Sequence, residues 1–344
     1  MADDGLTAAI DALASGRDLA QEQAAAVLGE IMAGEASEVQ IAAFLIALRT
    51  KGETAQELAG LAETMRALAT RVTVARDNLL DTAGTGGGRP TFNVSTTAAL
   101  IAAGAGCAVA KHGNRSATSP SGSADVLEAL GVRIDLDAAA VGRCVEEVGF
   151  GFMFAPTHHA ATRFVVPVRK ALGVRTIFNF LGPLTNPAGA RRQLIGVSDP
   201  AMLETMARAL ARLGVDRALL VSSEDGLDEM STAAPTRVVE VAGDDISSYT
   251  VTPEDAGLER ASAQALGGGS PQDNAATARR IFAGEPGAAR DLALLNAGAA
   301  IYAAGAASGL RAGVDAARSA VDDGAVMRTV EALIALTGEL APAP

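Results

Sequence analysis

The stretch LLDTAGTGGGRPTFNVSTTAAL, residues 79–100, joins a short apolar run to a helical pattern through a turn that contains four glycines. It opens a region in which short apolar runs alternate with helical patterns, which is typical of a parallel sheet flanked by helices. The further candidate strands are CAVAKHG, FGFMF, RQLIGV, RALLVSS and TRVVEVAG. The intervening helical patterns are STTAALIAAGAG, SADVLEALGV, DAAAVGRCVEEVG, FVVPVRKALG and DPAMLETMARALARLGV. We therefore predict an α/β domain over residues 78–344, with a mostly parallel central sheet.

The part of the chain before this region shows only helical periodicity. Apolar residues recur there at three- and four-residue spacing, and Gly16, Gly34 and Gly52 stand where helices are expected to end. Residues 1–71 are predicted to form a small all-helical domain. The segment 155–189 lacks clear alternation and contains four prolines, so part of it is expected to join the helical domain.

Length and charge bound the possible functions. A chain of 344 residues suggests about two domains. The net charge is −12, from 28 Lys and Arg against 40 Asp and Glu, and there is no basic block. This composition argues against a nucleic acid or an anionic membrane as partner. A small anion held by backbone amides is still compatible with it.

The N-terminus and the cysteines point to a cytoplasmic protein. The start, MADDGLTAAIDALASG, has no basic segment followed by an apolar one, as a secretory signal would. The longest apolar run, residues 98–110, is too short to cross a bilayer. Cys107 and Cys144 lie in apolar surroundings and are expected to be buried thiols.

The glycine-rich turn is a candidate anion site. Glycines let backbone N–H groups approach an anion closely, and the start of the following helix adds oriented donors. A phosphate or diphosphate would fit. The turn matches neither the dinucleotide-binding fingerprint nor the Walker loop. A plain tight turn is the alternative interpretation.

A second polar loop, KHGNRSATSPSGSADVLEALG at residues 111–131, directly follows the strand CAVA. Its polar residues are Lys111, His112, Asn114, Arg115, Ser116, Ser119, Ser121 and Ser123. Ligands bind at the carboxyl ends of strands in open parallel sheets, which favours a binding role. A solvated, serine-capped loop is the alternative.

Several motifs in a fixed order now make the chain recognisable. GTGG before TFNVST, KHGNRS before SGSADVLEALG, the stretch PVRKALGVRTIFNFLGPLTNP, and GLDE together resemble the anthranilate phosphoribosyltransferases of tryptophan biosynthesis. The resemblance extends from the N-terminal helices to LLNAGAAIYAAG near the C-terminus.

The resemblance implies a small helical domain and a larger α/β domain, with the active site at the hinge between them. It implies homodimers formed through the helical domains. The implied reaction joins the amine of anthranilate to C1 of 5-phosphoribosyl 1-diphosphate and releases diphosphate, with Mg²⁺ as cofactor.

The resemblance also implies residue roles, carried over motif by motif. The residues implied to bind phosphoribosyl diphosphate are Gly84, Thr85, Gly86, Gly87, Gly88, Thr91, Asn93, Val94, Ser95, Thr96, Lys111, His112, Gly113, Asn114, Arg115, Ser116, Ser119 and Ser123. Lys111 and the loop through Ser119 would cover its phosphates. Lys111 and Arg169 are the implied catalytic residues.

The implied metal ligands are Ser95, Asp228 and Glu229. Hard carboxylate oxygens suit Mg²⁺, which usually binds one or two carboxylates together with substrate phosphates. An isolated Asp-Glu pair would otherwise be interpreted as surface.

The implied anthranilate contacts are Gly84, Asn114, His159 and Arg169. A guanidinium suits a carboxylate because it can donate two parallel hydrogen bonds. His112 and His159 could equally be packed, hydrogen-bonded histidines, and Lys170 is expected to be solvated. Since only 3% of the residues are aromatic, aliphatic walls are expected to complete the pocket.

The chain departs from the family pattern in the glycine loop. Members commonly have GTGG-Asp-Gly, whereas this loop reads GTGG-Gly88-Arg89-Pro90 and is one residue shorter. It lacks a carboxylate and gains the cation of Arg89. We hypothesise an altered metal dependence or diphosphate affinity, which Mg²⁺ titration of a Gly88→Asp variant would test. Thr118 stands where serine is usual and keeps the hydroxyl.

Two alternatives are weighed against the transferase. A pyrimidine nucleoside phosphorylase also acts at a ribosyl C1, but would use free phosphate and would not be expected to keep Asp228-Glu229 or KHGNRS. A non-catalytic relative that binds nucleic acid or protein is opposed by the −12 charge and by the metal and substrate motifs. Neither alternative explains Asn114 and Arg169 together.

Overall fold

The N-terminal part of the computed structural model, which describes residues 5–116 and 120–341, consists of helices. They are α1 (Gly5–Ala14), α2 (Gln21–Ala33), α3 (Glu38–Lys51) and α4 (Ala55–Ala67). Ser37 and Thr54 begin α3 and α4 as capping boxes, in which each side chain accepts from the backbone N–H three residues on. Gly34 ends α2 in the left-handed conformation.

The second part is built on a seven-stranded sheet. Its strands are β1 (Leu80–Gly84), β2 (Val109–Gly113), β3 (Phe150–Phe154), β4 (Arg192–Gly196), β5 (Arg217–Ser223), β6 (Thr236–Ala242) and β7 (Asp245–Val251). The order is β3-β2-β1-β4-β5-β6-β7; the first five strands are parallel, and β6 and β7 are antiparallel. The predicted fold class, a helical domain beside a mostly parallel α/β domain, is confirmed.

Helices cover both faces of this sheet. The helices described after β1 are α5 (Val94–Gly104), α6 (Ser123–Leu130), α7 (Ala138–Val148), α8 (Ala155–His158), α9 (Val166–Leu172), α10 (Phe178–Leu181), α11 (Leu203–Arg212), α12 (Pro271–Phe282), α13 (Ala288–Ala303), α14 (Leu310–Asp322) and α15 (Ala325–Leu340). Of these, α9 and α10 pack against the N-terminal helices α3 and α4 instead of the sheet. Single turns of 3₁₀-helix lie at Ala160–Phe164, Gly182–Leu184, Pro200–Met202, Pro253–Ala256 and Ala263–Leu266. None of the helices described is long and apolar enough to span a membrane.

Two hydrophobic cores lie on opposite faces of the sheet. On β5, Leu219 and Val221 enter one core with α5 and α13, while Leu220 enters the other with α11. The second core continues into α1–α4 and takes in buried residues of 165–184. Segment 155–189 thus packs against the N-terminal helices, although the domain boundaries themselves stay a prediction. Cys107 and Cys144 are buried free thiols.

Strand β7 and its surroundings form a polar sheet edge. Its first six residues are exposed, so DISSYT has no buried face to reveal it as a strand. Next to it, Glu240 of β6 accepts hydrogen bonds from the hydroxyls of Tyr249 and Tyr302, at 2.9 Å each. The guanidinium of Arg217 lies 3.4 Å from the same carboxylate. This cluster contains both tyrosines of the chain.

Candidate active site

A cleft of about 1250 Å³ opens at the carboxyl end of the parallel strands. The chain continues from β1 to β2 and β3 on one side and returns to β4 on the other, which makes β1/β4 the point where strand order reverses. Gly84 and Gly196 pair there. Open α/β sheets bind ligands at such points. The cleft is lined by the glycine loop 84–90, the loop after β2, the segment 155–185 and the acidic pair Asp228-Glu229.

The glycine loop takes a conformation that other residues would adopt only with strain. Gly86 and Gly87 have φ of 63° and 90°, in the left-handed region. Thr85 donates its backbone N–H to the carbonyl of Gly196 and bonds through its hydroxyl to Ser198. The loop is therefore fixed to the end of β4.

Three glycines surround Asp228. A Cβ atom on Gly84 would lie 3.3 Å from Oδ2 of Asp228, and one on Gly88 would lie 2.4 Å from Oδ1. A Cβ atom on Gly196 would lie 1.7 Å from the carbonyl oxygen of Asp228. A Cβ on Gly88 would also lie 2.9 Å from the backbone nitrogen of Asp228. An aspartate therefore cannot replace Gly88 in this shorter loop without displacing Asp228. The Gly88→Asp variant would disturb the site instead of restoring the family carboxylate.

Arg89 is not a free cation in this structure. Its Nη2 donates to Oδ2 of Asp225 at 3.0 Å, and its Nη1 donates to the carbonyl of Ala263 at 3.3 Å. Its backbone N–H donates to the carbonyl of Gly226. The positive charge that Arg89 adds to the loop is thus balanced by Asp225 in this arrangement. Arg89 also joins the glycine loop to the loop that carries Asp228.

Helix α5 begins at the far side of the glycine loop. Asn93 caps it with φ of 65° and uses its amide to bind Ser121 and Asn274, so this side chain is already engaged. Ser95 lines the cleft, and the hydroxyl of Thr96 is buried without a partner among the described residues. Val94 is buried, so it could serve a ligand only through its backbone. The N–H groups of this first turn are suited to an anion.

Asp228 and Glu229 form a partly buried acidic pair. Burial raises the pKa of Asp228, and burial together with the charge of Asp228 raises the pKa of Glu229 well above its usual value. Oε2 of Glu229 is buried and lacks a hydrogen-bond partner in residues 5–116 and 120–341. An unpaired carboxylate oxygen beside a second carboxylate fits a divalent cation.

The residues present can supply only part of a Mg²⁺ shell. Among the residues described, no group of three or more His, Cys, Asp and Glu side chains could hold a metal ion. Ser95 lines the same cleft as the acidic pair and offers a hydroxyl oxygen. The donor set of two carboxylates and a hydroxyl fits Mg²⁺, whose remaining positions are usually taken by waters and phosphates.

Lys111 lines the floor of the cleft, and the resemblance implies that it covers the phosphates there. It is 1% exposed, and its ammonium donates to the carbonyl and hydroxyl of Thr82. Burial lowers the pKa of Lys111 to about 8, against the opposing effect of Asp81 and Glu229. Lys111 is thus a buried countercharge to Glu229 at the floor of the site.

The loop after β2 is tied to α6 by its own charges. Arg115 forms ion pairs with Asp125 at 2.8 Å and Glu128 at 2.5 Å, so its charge is already balanced. The carbonyl of Asn114 accepts from the hydroxyl of Ser123. Gly113, Asn114, Arg115, Ser116 and Ser123 all line the cleft as the sequence predicts. Thr118 and the predicted contact Ser119 lie outside the described residues.

The opposite wall of the cleft holds Arg169. Its guanidinium lies over the ring of Phe178, 5.3 Å from the ring centroid. Burial lowers the pKa of Arg169, and it has no ion pair in the part of the chain that the structure describes. A partly buried cation with no countercharge is suited to an anionic ligand. The ring of Phe178 beside it adds an aromatic surface that the composition makes unexpected.

His112 and His159 stand next to each other, with ring centroids 5.0 Å apart. His112 contacts the carbonyl of Gly182 at 3.3 Å, and His159 that of Thr185 at 3.1 Å. Burial lowers the pKa of His112 to about 3 and that of His159 to about 4. Both imidazoles line the cleft as neutral groups.

His112 and His159 should therefore stay neutral until strongly acidic pH. Burial also lowers the pKa of His158. We expect no titration of the ring protons of His112 and His159 in NMR spectra between pH 8 and about 5, and titration of His158 below its usual value. Unfolded imidazoles bind protons near pH 6.5, so the histidines' contribution to the free energy of unfolding falls as pH drops through that value. In urea all three rings should titrate near 6.5; a native ring doing so would contradict the prediction.

Sequence reasoning missed two residues of this site. Asp81 of β1 is buried beneath the cleft, where it accepts from the backbone N–H of His112 and from Asn186. Arg175 lines the cleft and donates to the carbonyl of Gly86. Arg175 belongs to the stretch PVRKALGVRT, which indicates its neighbourhood but not its contact.

Family models match the chain in two consecutive parts. The helical bundle domain of a glycosyl transferase family matches residues 7–69, and the a/b domain of the same family matches residues 76–327. An anthranilate phosphoribosyltransferase of Symbiobacterium thermophilum is 51% identical over 329 residues, which cover 95% of this chain and 96% of that protein. One of Roseiflexus castenholzii is 55% identical over 326 residues, or 94% and 95% of the two chains.

Solved structures are similar to this chain over nearly its whole length. The anthranilate phosphoribosyltransferase of Thermus thermophilus has a TM-score of 0.91 and 48% identity, covering 96% of this chain and 99% of that one. The enzyme of Saccharomyces cerevisiae in complex with PRPP and Mg has a TM-score of 0.89 and 26% identity, covering 98% and 99%. Both similarities therefore include the helical part, the sheet and the cleft between them.

Proposed function

This chain belongs to the anthranilate phosphoribosyltransferase family, and on that premise we propose that it transfers the phosphoribosyl group of 5-phospho-α-D-ribose 1-diphosphate to the amine of anthranilate. The products are N-(5-phosphoribosyl)anthranilate and diphosphate, in L-tryptophan biosynthesis. The observation that carries the proposal is one cleft, with a glycine loop and an acidic pair on one wall and Arg169, which has no ion pair among the described residues, on the other. The two walls suit the two substrates.

The diphosphate is proposed to bind at the glycine loop and the start of α5. The loop presents backbone amides, and the helix adds the partial positive charge of its N-terminus. When bound, Mg²⁺ supplies positive charge where diphosphate develops negative charge as it leaves C1. Ser95, Asp228 and Glu229 would hold it. Lys111 keeps a positive charge below the site, which stabilises ionised Glu229 and the departing group.

Anthranilate is proposed to bind at the opposite wall. Its carboxylate would face Arg169, and its ring would lie near Phe178. His112 and His159 are neutral there, so neither competes with Arg169 for the carboxylate. The amine would then be held toward C1 of the ribose. Anthranilate would react faster because it is held in the right orientation for attack on C1.

We also propose how the protein assembles and where it is located. A homodimer through the helical domains is supported by exposed apolar residues there, Val39 and Ile46 of α3, which are 79% and 37% exposed. A cytoplasmic location would suit a biosynthetic enzyme.

The test of the proposed function follows the fluorescence of anthranilate during incubation with phosphoribosyl diphosphate. Loss of the signal is expected with Mg²⁺ and not after chelation. No turnover at any Mg²⁺ concentration would overturn the proposal. Phosphate-dependent cleavage of uridine or thymidine would instead support the phosphorylase, and salt-dependent retention on DNA or RNA without turnover would support the binding protein.

Arg169→Met is expected to raise the KM for anthranilate by about 100-fold, because the carboxylate loses a charged partner in a partly buried site. The KM for phosphoribosyl diphosphate should change by less than about threefold, since that substrate binds at the other wall. Steady-state kinetics in each substrate measures both values. Lys170→Met, which removes an exposed charge next to Arg169, is the matched control and should behave as wild type.

A further inference from the structure

One cation of the cleft, Arg175, has no role in the proposed reaction. Arg175 lies between α9 and α10, 89 residues along the chain from Gly86, and its Nη1 donates to the carbonyl of Gly86 at 2.8 Å. Its Nη2 is buried and has no hydrogen-bond partner among the described residues. Arg175 also forms no ion pair in residues 5–116 and 120–341. One edge of the guanidinium is thus bound and the other is unsatisfied.

The position of this guanidinium is fixed from several sides. The carbonyl of Arg175 accepts from Nη1 of Arg49 on α3 at 2.8 Å, which ties its backbone to the N-terminal helices. The guanidinium carbon lies 5.8 Å from the centroid of the Phe180 ring. The side chain is therefore held over the glycine loop before any ligand binds, which limits the entropy lost on binding.

The glycine loop leaves room for this arginine. Gly87 has φ of 90°, and a Cβ atom there would lie only 1.9 Å from Nη1 of Arg175. The missing side chain at position 87 thus lets the guanidinium approach the backbone of the loop. The loop that would take the diphosphate and the unsatisfied edge of Arg175 consequently meet in the same part of the cleft.

The surrounding charges favour an anion at this edge. Asp228 is the nearby acid whose charge acts on Arg175. The two groups lie too far apart to form an ion pair, so the guanidinium keeps its donor for another partner. An oxyanion placed between the loop and Arg175 would satisfy the buried Nη2.

We propose that Arg175 is a diphosphate-binding residue, which holds the Gly86 carbonyl with Nη1 and donates from Nη2 to an oxygen of the diphosphate group. This rests on the proposed function, because it takes the ligand of the glycine loop to be the diphosphate of the substrate. The main rival explanation is that Arg175 only positions the loop.

A second hydrogen bond to the same carbonyl provides the matched control. Ser198 donates its hydroxyl to the Gly86 carbonyl at 2.8 Å, without carrying a charge. Ser198→Ala therefore removes only a hydrogen bond to the loop. Arg175→Met removes both a hydrogen bond to the loop and a positive charge. Lys170→Met removes a nearby exposed charge that does not line the cleft.

The experiment titrates each variant calorimetrically with inorganic diphosphate, with Mg²⁺ and with chelator. Arg175→Met should weaken binding about 10- to 100-fold in both conditions, as expected for a lost charge-assisted hydrogen bond. Ser198→Ala should weaken it by about threefold or less, and Lys170→Met should match wild type. Anthranilate binding to Arg175→Met should be unchanged, and melting temperatures show whether each variant is folded.

A loss in Arg175→Met no larger than that in Ser198→Ala would overturn the inference. If the methionine variant does not fold, Arg175→Lys, which keeps the charge but loses the planar pair of donors, should bind diphosphate about 3- to 10-fold more weakly. Binding by the lysine variant equal to wild type would also overturn it. These results leave the proposed function intact as long as the wild type consumes anthranilate. Failure of the wild type to do so would overturn the proposed function itself.

Discussion

Gly88→Asp is expected to lower kcat/KM for phosphoribosyl diphosphate by about 100-fold or more, although it adds the carboxylate that relatives of this chain carry in the same loop. A Cβ atom on Gly88 would lie 2.4 Å from Oδ1 of Asp228 and 2.9 Å from its backbone nitrogen. The backbone of Asp228 cannot move this far unless the loop moves with it. Misaligned metal ligands typically lower metal affinity by about 10- to 100-fold, which is close to the loss of kcat/KM expected here. Kinetics at several Mg²⁺ concentrations measures the effect.

Gly267→Asp is the control for this prediction. It adds a carboxylate one residue before Gly268, which lines the cleft, and a Cβ atom at 267 would meet nothing within 4 Å. Its kcat/KM should stay within about threefold of wild type, since an exposed charge acts weakly. Tighter Mg²⁺ binding by Gly88→Asp, with turnover preserved, would show that the loop can accommodate the side chain and would contradict the prediction.

Glu229→Gln is expected to reduce Mg²⁺-dependent turnover by about 100-fold while raising the melting temperature of the metal-free protein by about 1 to 3 °C. The loss of activity follows from removing a hard anionic ligand. The gain in stability follows because burial and Asp228 raise the pKa of Glu229, so its ionised form at neutral pH costs folding free energy. A neutral amide removes that cost.

The stability gain has a defined pH dependence. Because the folded pKa of Glu229 lies above the unfolded value of 4.5, the cost of ionisation is absent below pH 4.5 and grows as the pH rises above it. Melting curves of both proteins at pH 4 and pH 8 should therefore differ little at the lower pH. Glu224→Gln changes an exposed carboxylate five residues earlier and should alter neither activity nor melting temperature. Lower stability of Glu229→Gln at pH 8 would contradict this account.

The polypeptide pattern predicts those parts of the fold and site in which local sequence decides the structure. The run LLDTAG, the glycines after it and the helix that follows form β1, the loop and α5 within a few residues of the predicted limits. Their apolar periodicity and backbone requirements are properties of consecutive residues. The pattern does not indicate strand β7, because both of its faces are exposed and it has no apolar alternation.

The contacts that the sequence pattern could not predict join residues far apart in the chain. The sequence shows that Arg89 adds a cation to the loop, yet the orientation of its side chain is set by Asp225, 136 residues later. The resemblance implies a role for Lys111 at the phosphates, but the contact of its ammonium with Thr82 follows only from the pairing of β2 with the neighbouring strand. Arg175 reaches Gly86 only because segment 155–185 folds back over the sheet. Such orientations depend on tertiary packing, which periodicity does not encode.

The tyrosine cluster at the sheet edge should make the intrinsic fluorescence of this protein weak. The chain has no tryptophan, and its two tyrosines both donate to the carboxylate of Glu240. An excited phenol bound to a carboxylate can transfer its proton instead of emitting light, so the native fluorescence should be weak. Release of the two hydroxyls on unfolding would make the emission brighter. The emission of a fluorescent aromatic acid bound in the cleft could then be measured with little background from the protein. The increase in tyrosine emission would separately report unfolding.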